Sequence, residues 1–308
     1  MINKDTVSEW FRGLQDRICG SLEQLDGKAT FKEDNWDYHD TGGGRSRVIE
    51  NGAVIAKGGV NFSGVGGAMP PKLLQLLKVD AGSEEPLTFF ATGVSIVLHS
   101  QSPQVPIIHM NVRYFETSNG IWWFGGGIDL TPHYVKPDLA KEFHEGLEAV
   151  CAAHDASYYP KFKEWADNYF YIPHREETRG VGGIFFDRLR ATDGFTKVDR
   201  WAFVQSVGDA FADLYRHQVE QTRGLPYGQA ELEWQKLRRG RYVEFNLVWD
   251  RGTKFGLETN GRTESILMSL PPQANWVYDY QAAADSEEQR TLDWLKKGID
   301  WKDYQLIK

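Results

Sequence analysis

The chain has 308 residues, of which 41% are hydrophobic and 25% are charged, and its formal net charge at pH 7 is −8. This composition is ordinary for a globular protein, and a chain of this length can bury roughly three quarters of its extended surface. The acidic balance argues against a nucleic-acid partner and against adsorption to anionic membranes.

Cysteine usage and hydropathy indicate the compartment. Cys19 and Cys151 provide neither a disulfide framework nor a metal-type spacing, which is typical of a reducing environment. No stretch approaches the ~18 consecutive apolar residues of a membrane span, and the N-terminal segment lacks the apolar run of a signal peptide. The sequence therefore predicts a cytoplasmic protein without an integral membrane segment.

The chain begins with a predicted amphipathic helix, because apolar residues recur at three-to-four spacing from Val7 to Leu25. Strands at 47–50 and 53–57 follow, joined by Asn51-Gly52, a dipeptide suited to a type I′ turn. This pattern predicts a helix and a hairpin in the first 60 or so residues.

The later elements alternate less regularly. Three more strands are predicted at 87–98, 107–116 and 121–124. Helices are predicted at 138–153, 160–170, 198–221 and 228–239, and a strand at 241–249. A last helix is predicted to begin near Ser286, because Ser286 and Gln289 match a capping box. Because the strands cluster without strict βαβ alternation, we predict one α+β domain over residues 1–308, with a mostly antiparallel sheet flanked by helices.

Two of these strands carry polar residues that a hairpin would gather on one face. A register that pairs His99 with His109 also pairs Val97 with Asn111 and Ser95 with Arg113, all on the same side. Ser95 and Arg113 could hold a carboxylate, and the two histidines could bind a metal or transfer a proton. The alternative is a set of satisfied polar groups on a hydrated sheet face.

The segment 237–264 is rich in arginine around the predicted strand at 241–249. Its five arginines are Arg238, Arg239, Arg241, Arg251 and Arg262. As a strand, it would place Val243, Phe245, Leu247 and Trp249 on one face and Tyr242, Glu244, Asn246, Val248 and Asp250 on the other. Guanidinium groups bind carboxylates and stack on flat π systems, so the segment favours a ligand that is both polyanionic and apolar. The alternative is an ordinary sheet strand with an Arg-rich turn.

Glycine runs favour a flat ligand over a nucleotide. In the run 122–127, aromatic rings stand beside three glycines and could wall such a ligand; the alternative is a core strand that runs into a bent loop. Neither this run nor those at 42–45 and 64–67 has the pattern of a dinucleotide or phosphate loop. We interpret the last two as mobile loops that could serve as lids.

Together these motifs resemble the oxygen-dependent coproporphyrinogen III oxidases, especially their bacterial-type branch. Besides 237–264, the matching blocks are GGVNFSGV at 58–65, HMNVR at 109–113, WWFGGGIDLTP at 122–132, FHEGL at 143–147, YIPHREETRGVGGIFFD at 171–187 and GRTESILMSLPP at 261–272. The blocks span most of the chain in the expected order. The resemblance implies an α/β/α layered fold, in which helices cover both faces of a broad, flat antiparallel sheet.

The resemblance also implies the activity. Two propionates of coproporphyrinogen III would be oxidatively decarboxylated to vinyl groups in haem biosynthesis, giving protoporphyrinogen IX, carbon dioxide and hydrogen peroxide. Molecular oxygen would be the co-substrate, and no organic cofactor is expected, because a reduced pyrrole can itself deliver electrons to oxygen. The rival functions are a non-catalytic porphyrin or haem carrier and a histidine-metal hydrolase.

Site residues follow from the same resemblance. It implies substrate contacts at Ser95, Asn111, Val112, Arg113, Asn260, Gly261 and Arg262, with Asn260 standing where bacterial relatives usually have glycine. It implies His109 as a proton donor. It also implies four ligands of a divalent metal, for which Mn²⁺ is a candidate: His99, His109, His144 and His174. It leaves open whether the activity requires this metal. We add Asp250 as a catalytic carboxylate that would accept hydrogen bonds from pyrrole N–H groups.

A homodimer is the expected assembly. The resemblance implies it, and the apolar residues of 242–277 offer more surface than a hydrated monomer should expose. We therefore predict that part of this segment forms a twofold interface.

Overall fold

The computed structural model describes residues 2–39, 41–70, 74, 86–192, 194–258 and 261–306. Its largest sheet consists of β1 (Lys32–Asp37), β2 (Gly42–Glu50), β3 (Ile55–Ala68), β4 (Thr88–Ser100), β5 (Ile107–Thr117), β6 (Trp122–Thr131) and β9 (Gly182–Leu189). These seven strands are hydrogen-bonded in that order, and every neighbouring pair is antiparallel. Two small hairpins are formed by β7 (Tyr171–Ile172) with β8 (Glu177–Thr178) and by β10 (Ile299–Asp300) with β11 (Gln305–Leu306).

Eight α-helices and one π-helix lie within these ranges. They are α1 (Lys4–Asp26), α2 (Pro137–Ala152), α3 (Tyr158–Tyr169), α4 (Lys197–Thr222), α5 (Gln229–Glu244), the π-helix (Phe245–Trp249), α6 (Arg251–Glu258), α7 (Thr263–Leu267) and α8 (Glu287–Trp294). As predicted, Ser286 caps the last helix, because its side chain accepts a hydrogen bond from the backbone of Gln289 at 3.1 Å.

The two faces of the large sheet differ in polarity, since side chains alternate along each strand. One face buries apolar residues such as Ile96, Met110 and Ile128 under α1 and α4. The other face is polar and is partly covered by α5, where Tyr242 packs on Val97. The predicted α+β class, with helices on both sides of an antiparallel sheet, is confirmed.

Two features bear on location. Of the helices that the structure describes, none is both long and apolar enough to cross a bilayer. Cys19 and Cys151 are free and buried, as a reducing compartment permits. The cytoplasmic location stays a prediction.

The predicted hairpin around Asn51-Gly52 is confirmed, but the prediction of a two-residue turn at this dipeptide is wrong. Strand β2 ends at Glu50 and β3 begins at Ile55, and Asn51 has a φ of 57°. The carboxylate of Asp26 accepts hydrogen bonds from the backbone N–H groups of residues 53–55 at 2.8–2.9 Å. This buried cap at the end of α1 stabilises a longer connection than the local dipeptide indicates.

The glycine stretches interpreted as mobile loops are strands instead. Residues 42–44 lie in β2 and 64–67 in β3, and the two strands pair there without a break in register. Likewise, β6 continues through residues 125–127 instead of ending at 124. Glycine has a low strand propensity, but hydrogen bonds to neighbouring strands on both sides override it, and a local pattern does not record those bonds.

The predicted strand at 241–249 is also wrong, and with it the division of its residues between two faces. Helix α5 continues to Glu244 and passes directly into the π-helix. A second segment packs closely on α5, since a Cβ on Gly240 would lie 2.5 Å from the carbonyl oxygen of Asn275. A helix that is buried on several sides has no single apolar face, so its periodicity could not distinguish it from a strand.

Candidate active site

A continuous row of mostly short side chains crosses the polar face of the sheet. We call it the polar row; it consists of the mutually paired residues Asp34, Ser46, Asn61, Ser95, Asn111, Gly127 and Phe185. Paired residues share a side of the sheet, so the row lies on one face of all seven strands. Ser95 and Asn111, two predicted substrate contacts, lie at its centre and are partly exposed.

Glycines keep the floor beside the polar row free of bulky side chains. Arg113 of β5 lies between Gly93 of β4 and Gly125 of β6. A Cβ on Gly125 would lie 2.7 Å from Oδ1 of Asp187 and 2.8 Å from Nε of Arg113. Glycine at this position therefore lets the Arg113–Asp187 ion pair extend across β6, which explains the glycine run better than a bent loop does.

The hairpin of β4 and β5 gathers the predicted residues on one face, but the predicted register is wrong. Val97 lies opposite His109 and Ser95 opposite Asn111, a shift of two residues from the predicted pairing. A shift of two keeps each side chain on its face, whereas a shift of one would reverse it. The hydroxyl of Ser100 bonds to two carbonyl groups of the connecting loop at 2.6 and 2.9 Å, and this contact ends β4 at that residue.

A buried carboxylate orients His109. Nδ1 of His109 lies 2.7 Å from Oδ1 of Asp129. Oδ2 of the same carboxylate accepts a hydrogen bond from Nη2 of Arg179 at 2.7 Å. Burial alone would raise the pKa of Asp129, but the charge of Arg179 and the hydrogen bond from His109 lower that pKa below its usual range. An ionised Asp129 accepts from Nδ1–H, which leaves Nε2 of the partly exposed His109 ring for a ligand.

Arg179 is enclosed by aromatic rings. Its guanidinium carbon lies 4.4 Å from the ring centre of Phe170, 4.5 Å from that of Tyr242 and 4.7 Å from that of Phe245. Neither Arg179 nor Asp129 was predicted from the sequence as a site residue. A signal existed for Asp129, because extending β6 through its glycines places residue 129 on the polar face. Arg179 lies just beyond a two-residue strand, where no periodic pattern marks it.

Two predicted substrate-binding arginines lie towards opposite ends of the polar row. Arg113 donates to Oδ1 of Asn111 at 2.6 Å and to Oδ1 of Asp187 at 2.9 Å. Arg262 donates to Asp34 on β1. Four strand spacings, roughly 19 Å, separate β1 from β5. The face therefore presents two well-separated guanidinium groups, an arrangement that suits an extended polyanion.

The other predicted substrate contacts are placed less favourably. Val112 is fully buried on the apolar face, so its side chain cannot meet a ligand on the polar row. The backbone of Gly261 donates to the carbonyl oxygen of Gly256 at 2.8 Å, in the turn that leads to Arg262. Asn260 lies outside the described residues.

Asp250 caps a helix. Its Oδ2 accepts from the backbone N–H and from the hydroxyl of Thr253, both at 2.7 Å, in the first turn of α6. Its Oδ1 accepts from the hydroxyl of Tyr169 at 2.8 Å. Both carboxylate oxygens thus have protein partners, and these contacts favour the capping role over hydrogen bonds to a ligand.

Four of the five arginines in 237–264 bond to other protein groups. Arg238 meets Glu177 at 2.9 Å, Arg239 meets the carbonyl oxygen of Ser100 at 2.6 Å, and Arg241 meets Glu244 at 3.1 Å. Arg251 is exposed. Arg262 is the member that reaches the polar row, so most of the cluster stabilises the fold and does not form a ligand surface.

The four histidines predicted as metal ligands do not converge. Apart from His109, each of them is hydrogen-bonded to different protein groups, and His99 bonds to the carbonyl of Ser269 at 2.9 Å. His144 bonds to the hydroxyl of Tyr159 at 3.0 Å and to the carbonyl of Val181 at 2.9 Å. His174 bonds to the carboxylate of Glu244 at 2.8 Å and to the indole nitrogen of Trp249 at 2.9 Å. Within the described ranges, no three histidine, cysteine or acidic residues are grouped as a metal ion would require. These residues therefore do not fit one metal centre.

Comparison with known protein families identifies the family of the chain. The family described as Coproporphyrinogen III oxidase matches residues 6–301. The match covers nearly the whole sequence, and the chain therefore belongs to the coproporphyrinogen III oxidase family, which acts in haem biosynthesis.

Lowering the pH from 7 to 5 should destabilise the fold through its buried histidines. Burial lowers the pKa of His99 and that of His144 to about 3, so both rings are neutral in the fold and take up protons only on unfolding. Because the folded pKa lies below the unfolded value of about 6.5, stability is lost as the pH falls below 6.5. Each histidine should subtract about 2 kcal/mol from the free energy of unfolding between pH 7 and pH 5.

Urea unfolding of the wild type and of His144→Gln at both pH values measures this effect. The variant should lose less stability on acidification than the wild type. An equal loss in both proteins would contradict the assignment of His144 as a buried neutral group.

Proposed function

We propose that the protein is an oxygen-dependent coproporphyrinogen III oxidase that converts two propionates of its substrate to vinyl groups, giving protoporphyrinogen IX. In each conversion a C–H bond and the bond to the carboxylate break, carbon dioxide leaves, and O₂ takes up two electrons and two protons to become hydrogen peroxide. The observation that carries the proposal is the polar row, with a guanidinium group towards each end and an oriented imidazole beside it.

Arg113 and Arg262 would hold propionates of the bound substrate. Charge-assisted hydrogen bonds from a guanidinium fork suit carboxylates, and the separation of the two groups requires a ligand with several carboxylates. Glycine and serine on the floor would let the macrocycle lie close to the sheet, with Ser95 and Asn111 within reach of its polar atoms. The acidic net charge does not oppose this, because charges beyond ~8–10 Å are screened.

His109 would exchange the proton. Its Nδ1–H is bonded to Asp129, so Nε2 is the ring atom that can accept or return a proton at the substrate. The carboxylate of Asp129 would stabilise the imidazolium form, and Arg179 keeps that carboxylate ionised. In this proposal Asp129 is a positioning residue that acts through His109, and Asp250 stabilises α6.

We also propose that turnover needs no metal held by the four histidines. His144 and His174 each have both ring nitrogens within hydrogen-bonding distance of protein groups. The two electrons that each O₂ takes up come from the propionate that becomes a vinyl group, so the electron balance closes without a redox metal.

The first test compares coproporphyrinogen III turnover in air and without oxygen. We expect two carbon dioxide molecules per substrate in air, protoporphyrin fluorescence after oxidation of the product, and no carbon dioxide anaerobically. Protein that has been exhaustively chelated should retain turnover. Binding without carbon dioxide release would indicate a carrier, and activity restored only by Mn²⁺ would contradict the metal-free proposal.

The second test exchanges two aspartates for asparagine. Asp129→Asn should lower kcat by about 10²-fold or more, because general acid–base catalysis typically contributes 10²–10⁴-fold, and should change the pH profile of kcat. Asp250→Asn should retain most activity and nearly the wild-type melting temperature, since asparagine caps a helix about as well as aspartate. Thermal melts of both variants separate misfolding from lost chemistry, and the reverse pattern would return the catalytic role to Asp250.

A homodimer completes the proposal. The segment 247–257 exposes five large apolar side chains to 40–44% of their surface, namely Leu247, Val248, Trp249, Phe255 and Leu257. Such a patch favours a twofold contact between copies. Sedimentation at micromolar concentration should show a dimer for the wild type and for Val198→Glu, which alters an exposed apolar residue of α4, and a monomer for Leu247→Glu. A monomeric wild type would contradict the proposal.

A further inference from the structure

Arg262 already meets a carboxylate that belongs to the protein. Its Nη2 donates to Asp34, and its Nη1 lies 3.2 Å from the hydroxyl of Ser265 and 3.4 Å from that of Ser46. The guanidinium carbon lies 5.8 Å from the ring centre of Trp36. Strand β1 thus supplies both an acid and an aromatic ring to an arginine at the end of the polar row.

We propose that Asp34 substitutes for the substrate carboxylate at Arg262 while the site is empty, and is displaced by a propionate when the substrate binds. The inference rests on the proposed function, because it requires that Arg262 bind a carboxylate of the substrate. Asp34 would then set the affinity of the site without taking part in the chemistry.

The Asp34–Arg262 ion pair can be exchanged easily. The side chain of Asp34 is 56% exposed and that of Arg262 is 29% exposed. Exposed ion pairs contribute little to stability, because water solvates both partners well when they separate. Across the described ranges, Asp34 has no other side-chain hydrogen bond or ion pair, so nothing else holds its carboxylate on the row.

Arg262 would keep its position after Asp34 leaves. Its carbonyl oxygen accepts from the backbone of Ile266 at 3.1 Å, in the first turn of α7. The hydroxyl groups of Ser46 and Ser265 lie 2.9 Å from each other and both contact Nη1, so that edge of the guanidinium is held without the acid. The edge that Asp34 releases is Nη2, which becomes available to an incoming carboxylate.

The same exchange is less favourable at the other arginine. Asp187 is 32% exposed, and the Arg113 guanidinium is also bound by Asn111 at 2.6 Å, so its fork is already oriented within the sheet. Of the two acids, the more exposed one lies at Arg262. The inference is therefore confined to Asp34.

Asp34→Asn tests the inference because it removes the competing charge and preserves the shape of the side chain. The KM for coproporphyrinogen III should fall by about two- to five-fold, the range expected for loss of an exposed ion pair, while kcat changes far less. The Kd of coproporphyrin III, the oxidised tetracarboxylate, should fall in parallel when followed by fluorescence.

Asp37→Asn is the matched control. It removes the same charge from the same strand, but residues 34 and 37 lie on opposite faces of β1, since their separation is odd. Its KM should equal that of the wild type. A fall in KM of equal size in both variants would mean that general repulsion is responsible, and would overturn the inference.

Arg262→Ala separates the inference from the proposed function. This variant should raise KM, and adding Asp34→Asn to it should then have no effect, because the two side chains act through one contact. If Arg262→Ala leaves KM unchanged, the carboxylate contact of the proposed function fails, and the inference fails with it. If Arg262→Ala raises KM but Asp34→Asn raises it or leaves it unchanged, the inference alone is overturned.

Discussion

The ion pair of Asp129 and Arg179 is the contact on which the polar face depends. Their side chains are 2% and 3% exposed, so desolvation offsets most of their attraction, and the pair adds little stability beyond what apolar residues would provide. Its effect is positional. It joins β6 to aromatic residues in α5, in the π-helix and just after α3, and it fixes one nitrogen of His109 and leaves the other for a ligand. Loss of either partner would leave a buried charge without a counter-ion, which is far more costly than loss of the pair.

Alternation along antiparallel strands was sufficient to predict which residues share the polar face. Ser95, Asn111 and His109 were assigned to one side correctly although the register was wrong by two residues, because an even shift changes neighbours and not sides. The partners of these residues could not be predicted in the same way. Arg262 and Asp34 are 228 positions apart, and no local pattern records such a contact.

The failure at 241–249 has a different cause. Alternating apolar residues in a short run fit a strand, but they also fit a helix that is enclosed on several sides, and length alone would have distinguished the two. The π-helix that ends α5 accommodates an extra residue in its turn, so a regular helical period does not continue into it either. Sequence periodicity therefore performs best on elements with one buried face, such as α1, and worst where the chain passes between two layers.

Strand β1 has a consequence that reaches beyond the site, because it is the outermost strand of the large sheet among the described residues. An unpaired edge of this kind can recruit a strand from another molecule, and charged side chains are the usual protection against such aggregation. Lys32, Glu33, Asp34 and Asp37 are all exposed along this edge. The strand that supplies a carboxylate to Arg262 thus also resists the growth of the sheet into a fibre, and a neutral replacement of Asp34 would trade solubility in the crowded cell for affinity.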